Sequence, residues 1–231
     1  MMHRYAIYFA PAPDSAWWEF GTRWLGRDEF RDIDRVQPRL PDILPAELRR
    51  ITTQARRYGF HATLKAPFRL RQDCTANDLI SRMQSLASSL KPLVLGSMQA
   101  STLGDFVALT PDSPSEELMA LARTCVTDLD DLRAPLDHAD LTRRRLEHLD
   151  PREQELLHQY GYPHVLERFR FHVTLTGPVP PSTSHKVLRA VAEPLAHLNA
   201  STPLLLDRLC LFVEPAPGQA FLRIADRLLS S

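Results

Sequence analysis

The chain has 231 residues, of which 44% are hydrophobic and 24% charged, a composition typical of a globular protein that can bury a substantial core. Its 28 Lys and Arg residues balance 28 Asp and Glu residues, so the formal net charge is zero. Non-specific nucleic-acid affinity comes mainly from basic side chains that neutralise phosphates, so this balance argues against long nucleic acid as a ligand. It is compatible with a local basic pocket.

Cysteine usage and hydropathy predict the compartment. The three cysteines, Cys74, Cys125 and Cys210, are far apart and form no C-x-x-C pair, so neither a disulfide framework nor a zinc site is indicated. The run MMHRYAIYFAPAP is broken too early by polar and proline residues for a signal peptide. No segment approaches the roughly 18 uninterrupted apolar residues of a membrane helix. We therefore expect a soluble, cytoplasmic protein with no membrane partner.

The first quarter of the chain predicts a strand, a helix, a loop and a second helix. The stretch Tyr5–Ala10 is rich in β-forming residues, and WWEFGTRWL predicts a helix capped by Asp14 or Ser15 and ended by Gly26. Residues 27–41 are charged and interrupted by proline, which indicates a loop. Pro45 suits the first turn of a helix that continues through AELRRITTQA.

Two stretches of twelve residues repeat one pattern. They are RYGFHATLKAPF, Arg57–Phe68, and RFRFHVTLTGPV, Arg168–Val179. Aligned on His61 and His172, they share Phe, His, Thr, Leu and Pro at an offset of 111 residues. The pattern His-x-Thr-Leu therefore occurs twice in equivalent surroundings.

The repeat continues beyond the two motifs. After the first come the amphipathic helix TANDLISRMQSLASSL, with a Thr cap, and the strands LVLGSMQAST and FVALTP. After the second come the helix SHKVLRAVAEPLAHL, which contains Pro194, and the strands LLLDRLCLFVEP and AFLRIADRLL. The turns between the strands fall at 103–105 and 216–218. Such self-similarity indicates a duplicated strand–helix–strand–strand unit.

The duplication predicts the fold. We expect one bilobal α+β domain over residues 1–231, with lobe units at about 57–110 and 168–229 and connecting helices within 115–161. The lobes should be pseudo-symmetric, with antiparallel sheets flanking a central cleft and helices outside.

Alternation along a strand divides each motif into an apolar and a polar face. Phe60, Ala62 and Leu64 are expected to point into the core, as are their counterparts in the second copy. Each polar face then presents an imidazole beside a hydroxyl. The predicted polar faces consist of His61, Thr63 and Lys65 in the first copy and of Arg170, His172, Thr174 and Thr176 in the second.

Two imidazoles and two hydroxyls that meet across one cleft suit the cleavage of a phosphodiester. Near neutral pH one histidine can accept a proton from the attacking group while the other donates one to the leaving oxygen. Thr63 and Thr174 can donate hydrogen bonds to the non-bridging phosphate oxygens. The candidate substrate-binding residues are Tyr58, Lys65, Arg170 and Thr176.

No metal or other cofactor is predicted. The histidines between residues 138 and 164 show no metal-ligand spacing, and the chain contains no glycine-rich phosphate loop. A single His-x-Thr is more often structural than catalytic, but two copies of His-x-Thr-Leu arise by chance in roughly a few chains per thousand of this composition. Packing alone does not require a histidine on the polar face.

The two motifs resemble those of the two-histidine phosphoesterase superfamily, whose signature is a pair of His-x-Thr/Ser-x motifs on two related α+β lobes. His61-Ala62-Thr63-Leu64 and His172-Val173-Thr174-Leu175 match that pattern. The resemblance implies metal-independent cleavage of cyclic or 2′,5′-linked phosphodiesters, with the histidines as acid and base and the threonines on the phosphate.

A narrower resemblance concerns RYAIYFAP, WW…WLGRD, YGFHATLKAPF and FHVTLTGPV, which look like a family of unknown function encoded in phosphonate-utilisation operons. It implies that the substrate is a small phosphate ester from phosphonate metabolism, such as a phosphoribosyl 1,2-cyclic phosphate.

Two alternatives use the same cleft. The first is a non-catalytic binder of nucleotides or RNA ends, which predicts saturable binding without turnover. The second is an enzyme that resembles 2′,5′ RNA ligases and needs a long basic groove, for which TRRRLEH and the pairs Arg49-Arg50 and Arg56-Arg57 are candidates. The sequence does not determine which histidine is the base.

Overall fold

A computed structural model describes residues 3–113, 115–143 and 146–230 of the chain. The helices in these segments are α1 (Ala16–Leu25), α2 (Pro45–Tyr58), α3 (Ala76–Ser89), α4 (Glu116–Thr127), α5 (His138–Arg143), α6 (Pro151–Tyr160) and α7 (Pro181–Ser201). The strands are β1 (Arg4–Phe9), β2 (Arg27–Asp28), β3 (Ile33–Asp34), β4 (Ala62–Phe68), β5 (Leu93–Val94), β6 (Met98–Leu103), β7 (Phe106–Pro111), β8 (Val173–Thr174), β9 (Leu205–Leu206), β10 (Arg208–Glu214) and β11 (Leu222–Leu228). Within the described part of the chain, no helix has the length and apolar character to cross a bilayer.

Several helix ends are fixed by caps that the sequence predicts. The Ser15 side chain accepts a hydrogen bond from the N–H of Trp18, and Gly26 ends α1 in the left-handed conformation with φ 76°. The side chain of Thr75 forms a capping box with Asp78 at the start of α3. Pro45 occupies the first turn of α2, as expected.

The large sheet is antiparallel throughout and has the strand order β11-β10-β1-β4-β8-β7-β6. Two short antiparallel pairs, β2-β3 and β5-β9, accompany it. The expected α+β class with antiparallel sheets is therefore confirmed. The strands that carry the two motifs lie in one continuous sheet, and not in two sheets on opposite sides of a cleft, because β4 pairs directly with β8 through Ala62 and Val173.

Elements of the two repeated units are interleaved. Strand β8 of the second unit pairs with β7 of the first. Helix α3 of the first unit packs against β10 and β11 of the second, while α7 of the second packs against β6 and β7 of the first. Each unit therefore covers the hairpin of the other.

One face of the sheet forms the main core with the helices. The motif side chains predicted to point inward are buried there: Phe60, Ala62, Leu64, Phe171, Val173 and Leu175. A smaller apolar cluster, which contains Tyr8 and Phe212, lies on β1 and β10. Alternation along β1 places Tyr8 on the opposite side from Ile7, which belongs to the main core.

Candidate active site

The pairing of β4 with β8 brings the two His-x-Thr motifs together. Ala62 lies opposite Val173 in an antiparallel register. One residue farther in each direction, this register places His61 opposite Thr174 and Thr63 opposite His172. Side chains that face each other across an antiparallel pair have Cβ atoms about 4.5–5.5 Å apart. The four polar side chains thus form one cluster on the side of the sheet away from the main core.

Both imidazole rings are held in the same way. His61 Nδ1 lies 2.9 Å from the carbonyl oxygen of Gly59, and His172 Nδ1 lies 2.8 Å from that of Arg170. A carbonyl oxygen can only accept a hydrogen bond, so Nδ1 carries the proton in each neutral ring. Nε2 of each ring is then left for chemistry. In the first motif it lies 3.4 Å from Thr63 Oγ1.

Aromatic side chains surround His61. The Tyr8 ring stacks on it with centroids 3.9 Å apart, and the rings of Tyr58 and Phe212 lie at 6.0 and 6.1 Å. Burial lowers the pKa of His61 to about 4, although the hydrogen bond to the Gly59 carbonyl opposes this effect, and nearby His172 lowers the pKa further. His61 is therefore neutral at pH 7 and suited to accept a proton.

The backbone that holds His61 rests on a buried carboxyl group. Gly59 has φ +82°, and a Cβ added there would lie 2.7 Å from Cβ of Glu29. The two carboxyl oxygens of Glu29 are buried and form no hydrogen bond with another described side chain, and Arg223 Nη1 lies 3.9 Å away. Burial raises the pKa of Glu29 to about 7.

This raised pKa predicts a pH-dependent effect of Glu29→Gln. Between the unfolded pKa of 4.5 and the folded pKa of about 7, the folded protein binds more protons at Glu29 than the unfolded chain, so wild-type stability falls as pH rises through this window. Glutamine does not titrate. The free energy of unfolding of the variant minus that of wild type should therefore be about 2 kcal/mol larger at pH 8 than at pH 5, which means that the variant is relatively more stable at the higher pH. Urea denaturation at the two pH values measures this difference.

Glu193→Gln, at an exposed position of α7, serves as the matched control. Its stability relative to wild type should change little between the same pH values. A Glu29→Gln difference that is independent of pH would show that Glu29 does not titrate in this window.

A cavity of about 710 Å³ opens beside the cluster and is lined by Tyr8, Tyr58, His61, Thr63 and Thr174, among others. A second cavity of about 280 Å³ adjoins it and includes Phe106 in its wall. His61, Tyr58 and Thr174 contribute to both cavities. The ring of His172 lies 6.0 Å from that of Phe106. His61 and Thr174 of the cluster therefore border both spaces, whereas His172 lines neither of them.

The structure corrects the predicted position of Lys65. Thr63 lies opposite Tyr8 and Lys65 lies opposite Ile7, so two steps along β4 match one step along β1. This bulge turns Lys65 toward the main core. Its side chain is 3% exposed, and its ammonium group donates to Asp130 at 2.8 Å and to the Val126 carbonyl at 3.0 Å. Lys65 thus has a structural role away from the His-Thr cluster.

The other predicted binding residues differ in their positions. Tyr58 lines both cavities. Thr176 borders the smaller cavity but is fully buried, and its hydroxyl oxygen accepts a hydrogen bond from the N–H of Val107. The side chain of Arg170 is exposed and does not line either cavity, and its backbone carbonyl is what contacts His172.

Sequence reasoning missed two residues of β1, Tyr8 and Arg4, which both line the larger cavity. Alternation in RYAIYF places them on one face, which is the only signal that the sequence contains. The strand that pairs with β1 cannot be read from that pattern.

Of the arginines considered for an RNA groove, Arg56 and Arg57 are paired with acidic side chains. Arg56 pairs with Asp34. Arg57, which lines the larger cavity, pairs with Glu214. Arg49 and Arg50 lie on the outer side of α2. The arginines at 144 and 145 of TRRRLEH lie outside the described residues.

Comparison with known proteins identifies the family. Residues 63–222 match the family described as "Protein of unknown function (DUF1045)". The chain belongs to this family. The match includes Thr63, the whole second motif and the elements between them.

Two curated proteins are similar to almost the whole chain. One, from Janthinobacterium sp. (strain Marseille), is 39% identical over 223 residues, which cover 95% of this chain and 49% of that protein. The other, from Laribacter hongkongensis (strain HLHK9), is 36% identical over 223 residues, which cover 94% and 50%. Both are named ribose 1,5-bisphosphate phosphokinase PhnN. The chain spans about half the length of these relatives.

Proposed function

We propose that this protein is a metal-independent cyclic phosphodiesterase that opens a small cyclic phosphate ester of ribose. The observation that carries the proposal is the pairing of Ala62 with Val173, since it joins the two His-x-Thr motifs into one cluster. Residues 62 and 173 are themselves separated by the 111-residue offset of the repeat. This equivalence supports a pseudo-twofold arrangement of the kind found in two-histidine phosphoesterases.

The environment of His61 suits it to the role of base, which leaves the role of acid to His172. Neutral His61 accepts a proton at Nε2 from a water molecule, whose oxygen attacks phosphorus. His172 acts as the acid and donates a proton from Nε2 to the ring oxygen as the bond between that oxygen and phosphorus breaks. Thr63 and Thr174 donate hydrogen bonds to the non-bridging oxygens, where negative charge is stabilised. The products are one hydroxyl group and one phosphate monoester.

The names of the relatives support a ribose substrate. Those proteins are named for a phosphokinase of ribose 1,5-bisphosphate. Hydrolysis of the bond between phosphorus and O2 in a 5-phosphoribosyl 1,2-cyclic phosphate yields ribose 1,5-bisphosphate. The proposed reaction would therefore supply the compound in that name. The present chain contains no GxxxxGK[ST] phosphate loop, and we assign the named kinase step to the part of the relatives that it does not match.

The proposal is tested by turnover in EDTA of ribosyl 1,2-cyclic phosphate, 5-phosphoribosyl 1,2-cyclic phosphate and the 2′,3′-cyclic mononucleotides. We expect EDTA-resistant opening of the ribosyl esters. For ribosyl 1,2-cyclic phosphate, whose diester does not titrate in this range, kcat/KM should fall at acid pH with a pKa of about 4, because the base His61 becomes protonated there.

Circular dichroism at each pH controls for acid unfolding. Saturable binding of the esters without turnover would favour the non-catalytic binder over the enzyme. Oligonucleotide binding whose affinity falls steeply with salt would favour the RNA-processing alternative.

A further inference from the structure

Two arginines converge on one buried carboxylate at the edge of the larger cavity. Arg4 and Arg57 both line this cavity, and each forms an ion pair with Glu214, whose side chain is 1% exposed. Burial by itself would raise the pKa of Glu214, but the hydrogen bonds from Arg4 and the Gly218 N–H, with the charges of both arginines, hold it below its usual range. Glu214 is therefore ionised at neutral pH.

The cluster of Arg4, Arg57 and Glu214 has an excess of one positive charge. Arg4 uses Nε for Glu214, and its Nη1 and Nη2 atoms make no hydrogen bond to any described residue. Arg69, which also lines the cavity, is instead paired with two carboxylates, those of Asp137 and Asp140. The Nη1 and Nη2 groups of Arg4 are therefore guanidinium donors on the cavity wall that can bind a ligand.

The arginines lie within a small-molecule distance of the His-Thr cluster. Arg57 Cζ is 5.3 Å from the Tyr58 ring centroid, and that ring is 6.0 Å from the His61 ring. Arg4 Cζ is 5.9 Å from the ring of Phe221, which stacks on Tyr58 at 5.0 Å. A ligand that reaches from His61 to the arginines therefore crosses the aromatic wall formed by Tyr58.

We propose that Arg4 and Arg57 form a subsite for a second, exocyclic phosphate of the substrate, held ready by Glu214. This inference rests on the proposed function and names its specificity-determining residues. A guanidinium group binds phosphate oxygens through paired N–H donors, and fixing its orientation before binding reduces the entropy that the ligand must lose. The subsite selects 5-phosphorylated ribosyl cyclic phosphates over nucleoside cyclic phosphates that lack a second phosphate.

The test compares Arg4→Gln and Arg57→Gln on two substrates that differ in one group, 5-phosphoribosyl and ribosyl 1,2-cyclic phosphate. Charge-assisted hydrogen bonds contribute enough that each variant should lower kcat/KM roughly 10–100-fold for the phosphorylated substrate. For the substrate without the 5-phosphate, we expect a change of less than about threefold.

Arg168→Gln is the matched control, because Arg168 occupies the position of Arg57 in the second motif but pairs with Asp150 and does not line the cavity. It should leave both substrates unaffected. Arg4→Lys keeps the charge beside Glu214 and so protects the fold, yet it loses the planar fork and should show an intermediate loss on the phosphorylated substrate alone.

Equal losses on both substrates, or none on either, would overturn the subsite while leaving the phosphodiesterase proposal intact. Absence of turnover by folded wild type would count against the phosphodiesterase and not against the subsite. In that event, calorimetric binding of ribose 5-phosphate decides the question: at least tenfold weaker binding by Arg4→Gln supports the subsite, and unchanged affinity rejects it.

Discussion

Replacing His61 or His172 by alanine is expected to lower kcat/KM for a ribosyl cyclic phosphate by about 10²–10⁴-fold, the usual contribution of a general acid or base. Each ring points Nδ1 at a backbone carbonyl, so the fold loses one such hydrogen bond and the chemistry loses its reactive Nε2. The His61→Ala/His172→Ala double variant should lose less than the product of the single effects, since both residues act in one step. Steady-state kinetics in EDTA measure these values.

His197→Ala, at an exposed position of α7, is the matched histidine control and should retain wild-type kinetics. Thermal unfolding monitored by circular dichroism shows whether the His61→Ala and His172→Ala variants keep the fold. Full activity in both single variants would remove the two-histidine mechanism from consideration.

The substitution Gly21→Ala is expected to lower the stability of the protein. Gly21 lies in α1 against the ring of Phe60, and a Cβ at this position would lie 2.0, 2.2 and 2.5 Å from three ring atoms. Phe60 is buried and directly precedes His61 in the chain. Either α1 or the first His-x-Thr motif must therefore shift to make room for the added Cβ. Overpacking of this kind costs about 1–3 kcal/mol and is offset by a gain of up to about 1 kcal/mol from alanine in a helix, so we expect a net loss of up to about 2 kcal/mol. Urea denaturation measures the net loss.

A compensating substitution makes this prediction specific. Phe60→Leu removes most of the ring, so the double variant Gly21→Ala/Phe60→Leu should lose less stability than the two single changes together predict. Gln84→Ala, on the exposed side of α3, controls for the effect of alanine in a helix. Strict additivity of the two changes would show that the clash is relieved elsewhere.

The sequence predicted those features that depend on local chemistry. The caps at Ser15 and Thr75 and the stop at Gly26 follow from side chains that bond neighbouring backbone groups or tolerate positive φ. The His-Thr faces follow from strand alternation in two equivalent motifs. These patterns need no knowledge of what packs against the segment.

Features that depend on residues far apart in the chain could not be predicted from the sequence. The bulge that turns Lys65 inward appears only in the register of β4 against β1, and the stacking of Tyr8 on His61 also needs that register. The loop at 27–41 was predicted from its charges, yet it buries Asp28 and Glu29 because partners from far along the chain, such as Arg223, surround it. No local pattern encodes such contacts.

The interleaving of the two units has a consequence for how the protein folds. Strand β1 lies between β10 and β4, and Ile7 faces Leu211 across the ladder. Pairings between residues so distant in sequence require closure of a very long loop, and proteins rich in such contacts fold slowly. During synthesis, β1 can therefore pair with β10 only after the β10-β11 hairpin has been made, some two hundred residues later. The complete sheet that holds Tyr8 over His61 therefore forms only after that hairpin has been synthesised and has paired with β1.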